Sequence, residues 1–258
     1  MELAYERRGA GPPLVLLHGI GHHWQAWEPV LDLLAASRDV IAVDFPGFGA
    51  SPPLPPGTPY NPETLADAVE AFCAKLGVDE PHVAGNSLGG YVALTLAARG
   101  TVRTATALSP AGFWFGAETV WARSLLRFMR WSSRSLPAAR TDPAAYTVAG
   151  RVLTMGLIVA RPARTKPEAV IAGVRALREA TGFDETLDSF SSITPPGRPK
   201  VPITIAWGEH DRLLLRRQAV RAARWAEHRV ILLRGCGHVP MSDDPELVAR
   251  VLLEGSSR

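Results

Sequence analysis

Cysteine is scarce in this chain: Cys73 and Cys236 are its only two in 258 residues, far apart in sequence. That excludes a disulfide-stapled fold and leads us to expect two thiols in a reducing, cytoplasmic setting. Long apolar runs are also missing. The most apolar stretch, VLTMGLIVA at 152–160, is closed off by Arg151 and Arg161, well short of the roughly 20 residues that span a bilayer; it reads as a buried helical segment. The start, MELAYERRGAG, has no basic stretch leading into an apolar one, so no secretory signal is read there. The charge balance is nearly even, +3 overall with arginine supplying nearly all the basic residues. Without zinc-ligand spacing, an RNA-binding aromatic motif or a basic arm, this surplus does not support nucleic acid as a partner. Repeats and low-complexity tracts are absent too.

What remains is a composition of 47% hydrophobic and 21% charged residues, which falls in the globular range and suits one large domain. Short apolar runs bounded by Gly and Pro recur at 13–19, 39–47, 82–86, 102–110, 201–208 and 228–235. Continuous runs of this kind suit strands buried on both faces of a parallel sheet. Helical patterns alternate with them, as in WEPVLDLLAAS, PETLADAVEAFCAKLG and DPELVARVLLE, so the fold class is α/β, a mostly parallel twisted sheet flanked by helices. LAYERRG at 3–9 could add an edge strand. From 113 to 195 the strand-like runs stop and helical segments follow one another until PPGRPKVP. The expected organisation is therefore a core of 1–112 and 196–258 with an inserted helical lobe at 113–195.

Gly85-Asn86-Ser87-Leu88-Gly89 fits G-x-S-x-G at the junction of a strand and a helix. A sharp turn there forces the serine into an unusual backbone conformation with its hydroxyl accessible, and glycine two residues either side relieves the crowding. The following helix aims its free amides where an oxyanion would form. The plainer alternative is a glycine-rich turn that cradles a phosphate.

A serine nucleophile needs a base and an acid. Of the seven histidines, His238 stands out because it follows the last buried run in GCGHVP. WGEHD ends the preceding run, and Asp211, Glu209 and His210 all remain open as its partner. The amide of Ile20 in LLHGIG could join that of Leu88 as an oxyanion donor, while His18 reads as a hydrogen-bonding histidine that shapes the loop.

These motifs together resemble the α/β-hydrolase superfamily: HGIG, DFPGFGASP, GNSLGG, WGEHD and GCGHVPMSDDPE occur in its order along nearly the whole chain. The resemblance implies the α/β-hydrolase fold, a Ser87–Asp211–His238 triad, an oxyanion hole from Ile20 and Leu88, and a helical cap at 113–195. It implies a structural Asp44, and a last helix that starts at Asp244 and Pro245. Two-step acyl transfer on a small-molecule substrate would need no metal and no cofactor. Asp211 is followed by RLLLR rather than a nearby proline, and serine at 87 argues against dehalogenase or epoxide chemistry, which uses aspartate there.

Ester, thioester or lactone hydrolysis of small to medium apolar substrates is the first expectation, because the loop GIGHHW and Val239 depart from the carbon–carbon bond hydrolases that share GNSxGG. Carbon–carbon hydrolysis, cofactor-free perhydrolysis and a non-enzymatic binding role are the alternatives. Trp24, Phe113 and Trp114 are candidate pocket walls, each equally able to be core. Arg123, Arg127, Arg130 and Arg134 fall on one helical face opposite Trp121, Leu125 and Phe128. That spacing predicts a solvated basic face, or one that steers an anionic substrate or meets an acidic membrane, with part of the apolar face covering the sheet and the pocket mouth. Oligomeric state is left open.

Overall fold

The computed structural model describes residues 2–257. Six strands run parallel: β2 (Pro13–Leu17), β3 (Asp39–Val43), β4 (His82–Asn86), β5 (Thr104–Leu108), β6 (Ile203–Gly208) and β7 (Ile231–Leu233). The expected edge strand is present as β1 (Tyr5–Arg8), antiparallel to β3, and the sheet order is β1-β3-β2-β4-β5-β6-β7. Both faces are covered, and β2 shows why its run reads as continuous apolar sequence. Val15 and Leu17 enter one core with Phe72 and Val92, whereas Leu14 and Leu16 enter the other with Val30 and Val248. Alternate side chains thus serve two separate cores.

Helices α1 (Glu28–Ala35), α2 (Pro62–Lys75) and α3 (Leu88–Arg99) connect the first strands; α9 (Arg216–Ala226) and α10 (Pro245–Gly255) complete the core. Their starts follow local chemistry. Asn61 accepts a hydrogen bond from the Thr64 amide at 2.9 Å ahead of Pro62, and Asp244 accepts one from the Leu247 amide at 3.0 Å ahead of Pro245. Each is an N-cap followed by a proline whose missing N–H costs nothing in the first helical turn.

Between β5 and β6 lie five helices: α4 (Ala117–Ser135), α5 (Ala138–Ala145), α6 (Val148–Met155), α7 (Pro167–Glu179) and α8 (Phe183–Ser189). Of the arginines on α4, Arg127 and Arg134 are exposed as a solvated face would have them, whereas Arg130 is buried and holds this group together. Arg130 is buried and donates to the carbonyls of Leu177 and Ala180, the unpaired end of α7. Arg178 of α7 returns the arrangement, donating to the carbonyls of Ser133 (2.6 Å) and Leu136 (3.0 Å) at the end of α4. A cation at a helix C-terminus satisfies orphan carbonyls and complements the helix dipole, and here two helices do this for each other. Arg123 and Arg127 share Asp188, while Arg130 and Arg134 share Asp184.

Part of the apolar face of α4 also turns outward. Trp121, Phe128 and Trp131 are exposed, and the part of this face that joins the core is Leu125, with Met129 packed against it. The stretch at 152–160 also departs from expectation. It is a helix only to Met155, and Leu153 is 83% exposed, because Gly150 and Met155 provide the buried side of α6. The apolar run at 228–235 contributes a strand of only three residues. Among the described residues no helix is long and apolar enough to cross a membrane.

Arg130→Met would leave two buried carbonyls unpaired and should lower unfolding free energy by about 2–3 kcal/mol. Exposed Arg127→Gln should change it by less than about 1 kcal/mol. Urea denaturation checks both, and equal effects would contradict the distinct roles assigned to them.

Candidate active site

The strand order reverses between β2 and β4, the place where open α/β sheets leave a crevice beyond the carboxyl ends of their strands. The loop after β2 and the turn after β4 both open there. Ser87 occupies that turn with φ 57° and ψ −114°, a conformation non-glycine residues rarely adopt. Packing explains how it is held. A Cβ on Gly85 would lie 2.1 Å from the Gly89 carbonyl oxygen, and one on Gly89 would lie 2.1 Å from that of Leu17. Only glycine allows β4 to turn directly into α3 beside β2. The Ser87 amide donates to the Leu108 carbonyl at 2.9 Å, and its carbonyl accepts from Tyr91 and Ala111.

His238 and Asp211 meet at the same sheet edge. The imidazole Nδ1 lies 2.8 Å from Asp211 Oδ2, and both side chains are almost fully buried. Asp211 Oδ1 accepts from the amides of Leu213 (3.0 Å) and Leu214 (2.8 Å), which fixes the carboxylate. Glu209 lies elsewhere: its Oε2 accepts from the Gly235 amide at 2.9 Å, and that bond holds its carboxyl below the usual range. His210 is half-exposed near Glu209. Of the three residues left open in WGEHD, Asp211 is the one that touches the imidazole.

Two residues overlooked in the sequence tie these loops together. Asn86 donates its side-chain amide to the carbonyls of His238 (2.9 Å) and Leu108 (3.1 Å), joining the serine turn to the histidine loop. Asp243 accepts from the amides of Gly237, Ala160 and Arg161, joining the histidine loop to the chain after α6. An asparagine inside the glycine-serine pentapeptide was the available signal for the first; the second had none, because two of its three partners, Ala160 and Arg161, are distant in sequence.

The loop after β2 presses on the serine turn: a Cβ on Gly19 would lie 3.3 Å from Ser87 Cβ. Among the described residues neither the Ile20 nor the Leu88 amide has an acceptor within the protein. His18 shapes this loop, with Nε2 accepting from the Phe45 amide at 3.0 Å and Nδ1 2.7 Å from the Gly19 carbonyl. Asp44 accepts from the amides of Trp24 (2.6 Å) and Ala50 (2.9 Å), a structural role as expected. Burial pushes His18 down to about 4. Burial and its histidine neighbours push His22 down to about 3 and His23 to about 4. All three rings are neutral at neutral pH.

Of the candidate pocket walls, Phe113 is buried edge-on against Trp225 and Trp114 packs on Phe190. Trp24 is half-buried beside the second core. Burial raises the Cys236 thiol to about 12 and Cys73 to about 11, so neither is a ready nucleophile.

A turn of this kind, an imidazole–carboxylate pair and free amides at one sheet edge invite comparison with known proteins, and residues 14–251 match the alpha/beta hydrolase family. The chain belongs to that family. Within it, a 2-hydroxymuconate semialdehyde hydrolase of Pseudomonas sp. (strain CF600) is 38% identical over 122 residues, 44% of this chain and 43% of that protein. A pimeloyl-[acyl-carrier protein] methyl ester esterase of Aeromonas hydrophila is 42% identical over 97 residues, 38% of this chain and 36% of that protein. The matched stretches thus span less than half the length of these relatives. Among solved alpha/beta hydrolases, a bacterial membrane phospholipase A superposes with a TM-score of 0.75 at 26% identity, covering 98% of this chain and 83% of that one.

The buried histidines make stability depend on pH. Unfolded, they take up protons near 6.5; folded, they stay neutral down to about 4 or below. Their contribution is complete above 6.5 and declines as pH falls through that window, by about 1.4 kcal/mol per pH unit for each ring. Tm measured from pH 7 to 4.5 should therefore fall more steeply for the natural protein than for His22→Asn. Parallel curves would contradict a neutral His22 whose proton affinity is lowered in the folded protein.

Proposed function

We propose that the protein is a serine hydrolase that cleaves carboxylic esters, including thioesters and lactones, of small to medium apolar substrates. The 2.8 Å contact between His238 Nδ1 and Asp211 carries this reading, because the carboxylate is itself held by two amides. With Nδ1–H donated to Asp211, Nε2 is left as the base. Ser87 Oγ attacks the carbonyl and gives its proton to Nε2, and the Ile20 and Leu88 amides receive the oxyanion. Collapse expels the alcohol, which takes the proton from Nε2; water then repeats the sequence on the acyl-enzyme. Trp24 and Trp114 wall the acyl site, with Phe113 backing it from the core, and helices α4–α8 act as its cap.

A second reading, hydrolysis of a carbon–carbon bond in ring-fission products, is favoured by the similarity to 2-hydroxymuconate semialdehyde hydrolase. It uses the same three residues on a different electrophile. A serine at the turn favours either reading over epoxide opening.

p-Nitrophenyl esters of increasing acyl length, assayed beside a ring-fission dienoate, separate the two. The expected result is highest kcat/KM on short to medium esters; preference for the dienoate over every ester would overturn the first reading and support the second. On the best substrate Asp211→Asn should lower kcat by about 10,000-fold through the wrong imidazole tautomer, and Glu209→Gln should have little effect. The reverse ranking would reassign the acid.

A further inference from the structure

Of the fourteen exposed large hydrophobic residues among the described ones, ten fall between 115 and 153, on and beside the inserted helices. Along α4, Trp121, Phe128 and Trp131 are 47%, 55% and 62% exposed, at spacings of seven and three that keep them on one side. The rings of Phe128 and Trp131 lie 6.0 Å apart. On α6, Val148, Val152 and Leu153 are exposed as well. A single residue links the two groups: the Arg212 carbonyl accepts from the Trp121 indole at 3.0 Å, and its guanidinium donates to the Gly156 carbonyl at the end of α6. The two apolar edges therefore flank one point, next to Asp211. Isolated exposed hydrophobics need no explanation, but six on two helices joined through Arg212, half of them aromatic, point to a surface with a use.

Charge indicates what covers it. Residues 113–195 carry eleven basic and seven acidic side chains, net +4, whereas the remaining residues carry 17 and 18, net −1. The protein's whole positive surplus lies on this lobe. One of its acids, Glu118, is buried beneath Arg217 and Arg221 of α9, and Asp184 and Asp188 are each shared by two arginines. Arg140 stands exposed on α5. A second copy docking by the same face would bring two basic lobes together, since a two-fold contact pairs a patch with itself. Tryptophan and phenylalanine with aliphatic neighbours on a basic lobe instead match the boundary of an anionic bilayer, where rings and chains enter the headgroup region and arginine meets phosphate.

We propose that the outer face of α4 and α6 docks on the surface of an anionic lipid bilayer, with Trp121, Phe128, Trp131 and Leu153 entering the headgroup layer. The helices lie on the membrane and do not span it. Docking there would set the Arg212 link, one residue from Asp211, at the lipid boundary. The inference stands on exposure and charge and does not depend on which bond the site cleaves.

Co-sedimentation with phosphatidylcholine vesicles, with and without phosphatidylglycerol, tests it. The natural protein should bind the anionic vesicles, bind the neutral ones far more weakly, and lose affinity as salt rises. A Trp131→Ser, Leu153→Ser double variant should bind anionic vesicles about tenfold or more weakly while keeping its turnover of a soluble short-chain ester and its circular dichroism. The ester control separates a docking defect from any defect in the proposed chemistry. Failure to bind anionic vesicles, equal binding to both compositions, or unchanged binding by the variant would overturn the proposal. So would a concentration-dependent dimer that the same variant abolishes, since a second copy would then be the occupant.

Discussion

The serine turn is a constraint that neighbouring elements are built to satisfy. Ser87 sits at positive φ because β4 has to reverse into α3 within one residue, and that reversal leaves no room for a Cβ at 85 or 89. Strain of this kind, typically about 1–3 kcal/mol, persists only where surrounding bonds over-determine the conformation. Here the Leu108 carbonyl holds the serine amide, two amides hold its carbonyl, and Asn86 ties the turn to the histidine loop. A local sacrifice in backbone energy is thus met by a network reaching β5, α3 and residue 238.

The second organising feature is the arrangement of buried charge. Asp211, Asp243 and Asp44 are each buried and each satisfied largely by backbone amides. Fixed amide dipoles solvate a carboxylate without demanding a buried cation, so these acids order loops without the large desolvation cost of an unpaired charge. Arg130 and Arg178 do the converse for helix carbonyls. The loops around Ser87, Asp211 and His238 are therefore held by side chain–backbone bonds rather than by regular structure of their own.

That division also explains what could be read from the sequence. The sheet, its order-independent apolar runs and the serine turn were legible because each is a local pattern: alternation along β2 and β4, glycines flanking Ser87, N-cap and proline at Asn61–Pro62 and Asp244–Pro245. Histidine 238 was legible by its place after the last strand. The choice of Asp211 over Glu209 and His210 came only from the resemblance, since the residues alone do not show which side chain faces a loop 27 residues away. The orientation of α4 is not legible for a related reason. Helical periodicity separates an arginine side from an aromatic side, but only the end of α7, with its unpaired carbonyls, decides that Arg130 is buried while Arg127, Trp121 and Phe128 stay exposed. A composition rule that places apolar residues inside fails where a helix terminus offers charged side chains a better partner.

The account rests on Ser87 being an activated nucleophile. A fluorophosphonate probe tests this directly, because attack by the serine oxygen on phosphorus expels fluoride and leaves a stable adduct. Peptide mass spectrometry after labelling should find the adduct on Ser87, at one per chain, and find labelling greatly slowed in His238→Ala protein whose circular dichroism is unchanged. No adduct on natural, folded protein, or an adduct at another residue with Ser87 unmodified, would contradict the account.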